Sequence, residues 1–338
     1  MKRQHRMTRR IVVLGGGENA EHDVSLATAA AVAEALRATG FDVDELTIDR
    51  DGTWRRGADA LGSRAIDSLA AALGVIERAD VVFPAIHGPC GEDGTLAALC
   101  ALAHTPMAGS GLRAGAIGMD KWATKLVAEA LGIRTAPARL VTAAEIADVE
   151  FEADVVVKPA SAGSSFGVAL ARDALQLRDA LCRAARLDDR ILIEDVVRGR
   201  EIDVAVLREA DGRPWAAPPL EIHADGVFDT ESKYDGSALF SVPADLDDTS
   251  RTALTDAALR MFDALGCAGV ARIDFFLTDH GPVLNEVNTM PGMTPESQVP
   301  KMFAAAGLSY EQLVARLVDA AAIRKPAAHA PLLAPDSS

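Results

Sequence analysis

The sequence predicts an α/β protein of several lobes, and three observations predict it. The first third alternates short apolar strands with glycine turns and helix-spaced segments. In the middle, a lysine closes an apolar strand ahead of a glycine- and serine-rich loop. Near the end, the strands VARIDFF and VLNEVN carry acids and an arginine at alternate positions. At 338 residues the chain exceeds what one small core organises.

Taken in order, Ile11–Leu14 forms a strand that runs into Gly15, Gly16 and Gly17, and a helical segment follows from Val24 to Leu36. Strands at Phe41–Ile48 and Val81–Ile86, separated by an Ala/Leu-rich helical stretch, imply a parallel sheet with crossover helices ending near Ser110. A helix from Asp120 to Leu131 opens on a capping aspartate, and the next strand, Val155–Val157, leaves Lys158 at its end. A helix near 172–186 then precedes the strand Ile191–Val197, which carries Glu194. Further strands at 201–208, 215–222, 269–277 and 282–287 alternate with helices at 250–265 and 309–323. Ala224–Pro243 reads as a long surface loop of the kind that serves as a lid.

Composition excludes several partners. With 49% hydrophobic and 25% charged residues the chain resembles an ordinary globular protein. A formal net charge of −15 repels nucleic acid and acidic membranes, so any phosphate ligand must meet locally placed cations. No apolar run approaches the roughly 20 residues that span a bilayer. The basic start MKRQHRMTRR lacks the apolar stretch of an export signal. Four scattered cysteines without metal-ligand spacing fit a reducing cytoplasm.

Several segments can carry chemistry. Gly15–Ala20 matches the GxGxxA pattern of dinucleotide sites, with Asp49 available as a ribose acceptor, but Glu18, Glu21 and Asp23 crowd the helix start with negative charge. Glu21 therefore suits an ammonium ligand, or else complements the helix dipole. In AIHGPCGEDG, at a strand's carboxyl edge, His87 either binds an anionic group or is held structurally. Adjacent Cys90 is better explained by packing than as a nucleophile. Lys158 and the loop 161–167 combine a cation with many free amides, a phosphate cradle unlike the Walker pattern.

The strongest local signal is late. Arg272 and Asp274 share one face of their strand, as do Glu286 and Asn288 of theirs. Two acids and an amide on one sheet face supply hard oxygen ligands for magnesium bridging nucleotide phosphates. The arginine beside them suits a phosphoryl group or an oxyanion. An ion pair between Arg272 and Glu286 is the structural alternative.

GGGENAEHDVS, AIHGPCGEDGT, MDK, VKPASAGSSFGV, LIEDVVRGREIDVAV, SKY, GVARIDFF and NEVNTMPGMTPESQVPK, in this order from about residue 11 to 320, resemble the D-alanine–D-alanine ligase family of the ATP-grasp superfamily. The resemblance implies an ATP-grasp fold with an N-terminal Rossmann-like parallel-sheet lobe (1–110), a central lobe (111–195) and a C-terminal lobe with metal site and lid (196–325), while the biased composition of the end predicts a disordered tail (326–338).

It also implies roles. Glu21 receives the ammonium of the first D-alanine, and Ser164 and Tyr234 join it in closing the lid. His87, Lys233, Arg272 and Ser297 bind substrate, the last with Lys233 holding the second carboxylate. Lys121, Lys158, Ser165, Glu194, Val197 and Glu201 contact ATP. Asp274, Glu286 and Asn288 hold two magnesium ions, with manganese as an alternative, and Arg272 with the Gly292 amide forms the oxyanion site. D-alanine and ATP are the small-molecule partners, and a cytoplasmic homodimer serving peptidoglycan synthesis is expected. Asp195, Cys90 and Gln298 depart from the family's usual residues. A nicotinamide-dependent oxidoreductase built on the glycine turn, and a nucleotide-binding regulator without turnover, are the competing readings.

Overall fold

The structure is a computed structural model and describes residues 8–163, 166–223 and 239–324. Its first sheet starts with β1 (Arg10–Gly16), whose Ile11, Val12, Val13 and Leu14 are almost wholly buried. A continuous apolar run of this kind marks a strand covered on both faces. Helix α1 (His22–Ala38) leads to β2 (Asp42–Ile48). The short strands β3 (Trp54–Arg56) and β4 (Asp59–Ala60), then helix α2 (Ala65–Ile76), lead to β5 (Val81–Pro84). The strand order is β4-β3-β2-β1-β5. Strands β2, β1 and β5 pair in parallel as expected. The edge differs, because β3 and β4 add an antiparallel hairpin. These strands of three and two residues are too short to leave a periodic signal.

Helix α3 (Thr95–Leu102) follows the AIHGPCGEDG loop, and helices α4 (Leu112–Met119) and α5 (Lys121–Ala130) come next. Asp120 caps α5 through its side chain, which accepts from the Ala123 amide at 2.9 Å. The two-residue strand β6 (Arg134–Thr135) follows. A four-stranded antiparallel sheet comprises β7 (Ala138–Thr142), β8 (Val155–Pro159), β9 (Ala169–Ala171) and, after helix α6 (Ala174–Ala184), β10 (Arg190–Asp195), in the order β7-β10-β8-β9.

The largest sheet contains β11 (Arg200–Arg208), β12 (Pro214–Ala216), β13 (Leu220–His223), β14 (Leu239–Ser241), β15 (Val270–Thr278) and β16 (Gly281–Asn288), with β6 on its edge. Helix α7 (Asp248–Leu265) lies between β14 and β15, and α8 (Gln298–Ala305) and α9 (Tyr310–Ile323) follow β16. The strand expected at 215–222 is split into β12 and β13, separated by Ala217, Pro218 and Pro219, where proline interrupts the ladder. Residues 239–241, expected in the loop, form β14; residues 224–238 of the proposed lid and the tail 325–338 lie outside the described residues.

Packing crosses the expected lobes. Ala114 of α4, Ala128 of α5 and Ile133 share a core with α7, β11, β15 and β16, so the stretch 112–135 belongs with the large sheet. Ile11, Val13 and Phe83 of the first sheet share another core with Phe303, Leu313 and Leu317 of α8 and α9.

Candidate active site

A cavity of about 490 Å³ opens between the four-stranded and large sheets. Its floor is the β15–β16 pair. Arg272 lies directly opposite Asn288, and Asp274 opposite Glu286, so the face inferred from alternation is present. The register slips between Asp274 and Phe275, leaving Asn285 as an extra residue in β16. Both Asn285 and Glu286 consequently line the cavity, which strict alternation forbids. Across β15, Asp203 of β11 pairs with Asp274 and adds another carboxylate, which the sequence reading missed.

Arg272 organises this floor. Its Nε and Nη2 donate to the two carboxylate oxygens of Asp274 at 2.7 and 2.8 Å, and Asp203 lies 3.3 Å away. Burial pulls the guanidinium's pKa down, but Asp274, Asp203 and Glu286 more than offset it and raise it further. Asn288 Nδ2 donates to Asp274 Oδ2 at 2.9 Å. The expected alternative partner was Glu286; the observed ion pair is with Asp274. Glu286 instead faces Lys121 at 3.9 Å. Three carboxylates here surround one guanidinium and one ammonium. The residual negative charge and the hard oxygen donors of Asp274, Glu286 and Asn288 fit a divalent cation. Among the described residues no cluster of three His, Cys, Asp or Glu forms a ready metal cage.

Two lysines from other elements reach the same cavity. Lys158 lies at the penultimate position of β8, near the strand end expected, and Lys121 begins α5, where its Nζ donates to the Ala162 carbonyl at 2.6 Å. Glu194 is buried between Lys158 and Lys125, each 2.7 Å from a different carboxylate oxygen. Burial would raise the Glu194 pKa, but the two ammonium groups hold it below the ordinary carboxylate range. Lys125 was not singled out in the sequence, although it lies one helical turn beyond Lys121. Both Glu194 oxygens are engaged by lysines, and Val197 and Glu201 also line the cavity.

At the first sheet's carboxyl edge Glu21 occupies the N-cap of α1 and is 7% exposed. Gly88 has φ +70°, and a Cβ built there would lie 2.4 Å from Glu21 Oε2; one on Gly163 would lie 3.2 Å away. The loop 161–163 thus closes over Glu21. His87 is buried, with Nε2 3.0 Å from Thr28 Oγ1 and Nδ1 3.1 Å from the Met290 carbonyl. Both ring nitrogens are engaged by protein, which favours the structural reading over anion binding. Burial lowers the imidazole's pKa, but Glu92 and Glu21 overcome it and shift it above its ordinary value.

Cys90 is exposed, contrary to the packed role expected, yet partial desolvation of its thiol, with Asp93 and Glu18 nearby, raises its pKa. That is the reverse of nucleophile activation. The glycine turn is equally unsuited to dinucleotides: the Gly17 amide donates to the Ile48 carbonyl at 2.7 Å, and Asp49 pairs with Arg55.

Gly292 and Ser297 come together, since a Cβ on Gly292 would lie 3.0 Å from Ser297 Oγ. That hydroxyl also bonds the Thr294 amide and hydroxyl at 3.1 and 2.8 Å. Gln298 joins the site directly, its Oε1 accepting from Arg272 Nη1. Ser164, Ser165, Lys233 and Tyr234 lie outside the described residues.

Comparison with known proteins follows the same outline. The family profile described as D-ala D-ala ligase N-terminus matches residues 10–110, and that described as D-ala D-ala ligase C-terminus matches 131–319. A D-alanine–D-alanine ligase of Streptomyces coelicolor is 38% identical, covering 94% of each chain. Among solved structures, the VanG D-Ala:D-Ser ligase of Enterococcus faecalis superposes with a TM-score of 0.79 at 29% identity, covering 92% of this chain and 99% of its own. The D-alanine–D-alanine ligase of Bacillus anthracis, complexed with ATP, gives 0.76 at 27%, covering 94% and 99%.

Proposed function

The chain belongs to the D-alanine–D-alanine ligase family, with its ATP-grasp fold, and from that premise we propose that it joins two D-alanine molecules at the expense of ATP. The observation that carries this reading is one cavity lined by Lys121 and Lys158 together with Arg272, Asp274 and Glu286. Cations for a triphosphate and oxygens for a metal face the same space.

Glu21 takes the ammonium of the first D-alanine, leaving its carboxylate free to attack the γ-phosphorus of ATP. A phosphorus–oxygen bond forms to the substrate carboxylate, the bond to ADP breaks, and an acyl phosphate results. Lys121 and Lys158 draw charge from the phosphates, while Val197 and Glu201 hold the nucleoside side. Ser297 and Lys233 hold the carboxylate of the second D-alanine. Its amine, once deprotonated, attacks the acyl carbonyl, and phosphate leaves. Arg272 and the Gly292 amide stabilise the tetrahedral oxyanion. Asp274, Glu286 and Asn288 would hold magnesium or manganese, whose chemistry is to screen the polyphosphate charge. Ser164, Ser165 and Tyr234 belong to the loop and lid that exclude water from the acyl phosphate. His87 supports the Met290 loop through its contact with the Met290 carbonyl.

We assign lobes at 1–110, 111–195 and 196–325, with 112–135 packed on the large sheet of the last, and infer a cytoplasmic homodimer. Among the described residues no helix is long and apolar enough to cross a membrane. The test is phosphate release with ATP, magnesium and a panel of D-alanine, D-serine, D-lactate and L-alanine, with products read by mass spectrometry. D-alanyl-D-alanine formation dependent on every component is expected. Equal use of L-alanine, or phosphate release without a dipeptide, would overturn the proposal.

A further inference from the structure

Lys125 touches neither the cavity nor any group in the scheme above, yet it is a buried ammonium on the inner face of α5, 4% exposed. Burying a lysine is costly unless an anionic partner offsets the lost hydration. Its Nζ lies 2.7 Å from Glu194 Oε1, while Glu194 Oε2 takes Lys158 at the same distance. Lys158 also donates to Asn285 Oδ1 at 3.0 Å, across to the large sheet. Lys158 and Glu194 line the cavity; Lys125 stands behind them.

The charges decide what this arrangement does. Were Lys158 alone with Glu194, the pair would be neutral, and a phosphate reaching Lys158 would meet a carboxylate at the same distance from the ammonium. With Lys125 behind, two cations share one anion, and the trio carries one net positive charge in a low-dielectric wall. That surplus is available only toward the cavity, because Lys125 itself is enclosed. We propose that Lys125 is a positioning residue: by sharing Glu194 with Lys158, it leaves Lys158 electrostatically available to the nucleotide's phosphates. The inference rests on ATP occupying this cavity and deepens that reading.

Binding of ATP, ADP and adenosine to the full chain, measured by calorimetric titration, tests it. Lys125→Met should weaken ATP and ADP at least tenfold and leave adenosine within twofold, because only the phosphates sense the lost charge. Lys125→Arg should keep ATP binding within threefold. Lys125→Gln keeps a hydrogen-bond donor toward Glu194 but not the charge; it should show the same split between phosphates and adenosine, and it serves where the Met variant does not fold. An equal loss for adenosine in either neutral variant, or undiminished ATP binding there, overturns the proposal. Failure of the parent itself to bind ATP would instead sink the reading of the cavity.

Discussion

Gln298 Oε1 accepts a hydrogen bond from Arg272 Nη1 at 2.7 Å, on the side of the guanidinium turned away from Asp274. Asp274 fixes two of the arginine's nitrogens, and Gln298 fixes the third, so the guanidinium plane has a single orientation at the cavity floor. A hydrogen bond to a charged donor contributes about 1.5–3 kcal/mol. Gln298→Leu should lower kcat roughly tenfold while leaving the KM for ATP within about threefold, a split that steady-state kinetics resolves.

Arg272→Ala removes the cation from between Asp274 and Asp203. Breaking a buried pair on one side costs about 3–5 kcal/mol. Thermal or urea denaturation should register that destabilisation, and dipeptide synthesis should be undetectable. Retention of more than a tenth of the parental kcat would remove Arg272 from the oxyanion site.

Glu286→Gln deletes a carboxylate from the candidate metal floor without changing its volume. Binding of manganese, followed by electron paramagnetic resonance in the presence of ATP, should weaken at least tenfold while the melting temperature stays within a few degrees. Parental manganese affinity would exclude Glu286 as a ligand.

Gly88→Ala places a methyl group 2.4 Å from Glu21 Oε2, in a backbone conformation that side chains rarely adopt. Glu21 must move. The KM for D-alanine should rise tenfold or more, with the affinity for ATP near parental.

His87 gives a pH signature. Its folded pKa lies above the ordinary 6.5, so its favourable ionic contacts contribute fully below that value and fade as pH rises through the folded pKa. The melting temperature of His87→Gln should therefore fall furthest short of the parent's at low pH. The gap should narrow in alkaline buffer; a gap that widens with pH would reverse the assignment.

Much of this was legible from residue order, and the failures have identifiable causes. The face bearing Arg272, Asp274, Glu286 and Asn288 followed from alternation because β15 and β16 pair in register there. Asn285 escaped because the slip beside Phe275 turns it to the cavity, and a bulge leaves no mark in a single strand's pattern. Asp203 was visible in REIDVAV as an acid inside an apolar run, but only strand pairing places it beside Asp274. Lys125 looked like one more helix lysine until Glu194, distant in sequence, met it. Helix α4 and the hairpin β3–β4 were missed because short elements carry too few periods.

The core shared by Ile11, Val13 and Phe83 with Phe303, Leu313 and Leu317 has a consequence for biosynthesis. The strands that leave the ribosome first cannot bury this face until the chain's last helices have been made. A nascent polypeptide stalled before Gln298 should therefore carry a sticky apolar surface, recognisable to a holdase chaperone.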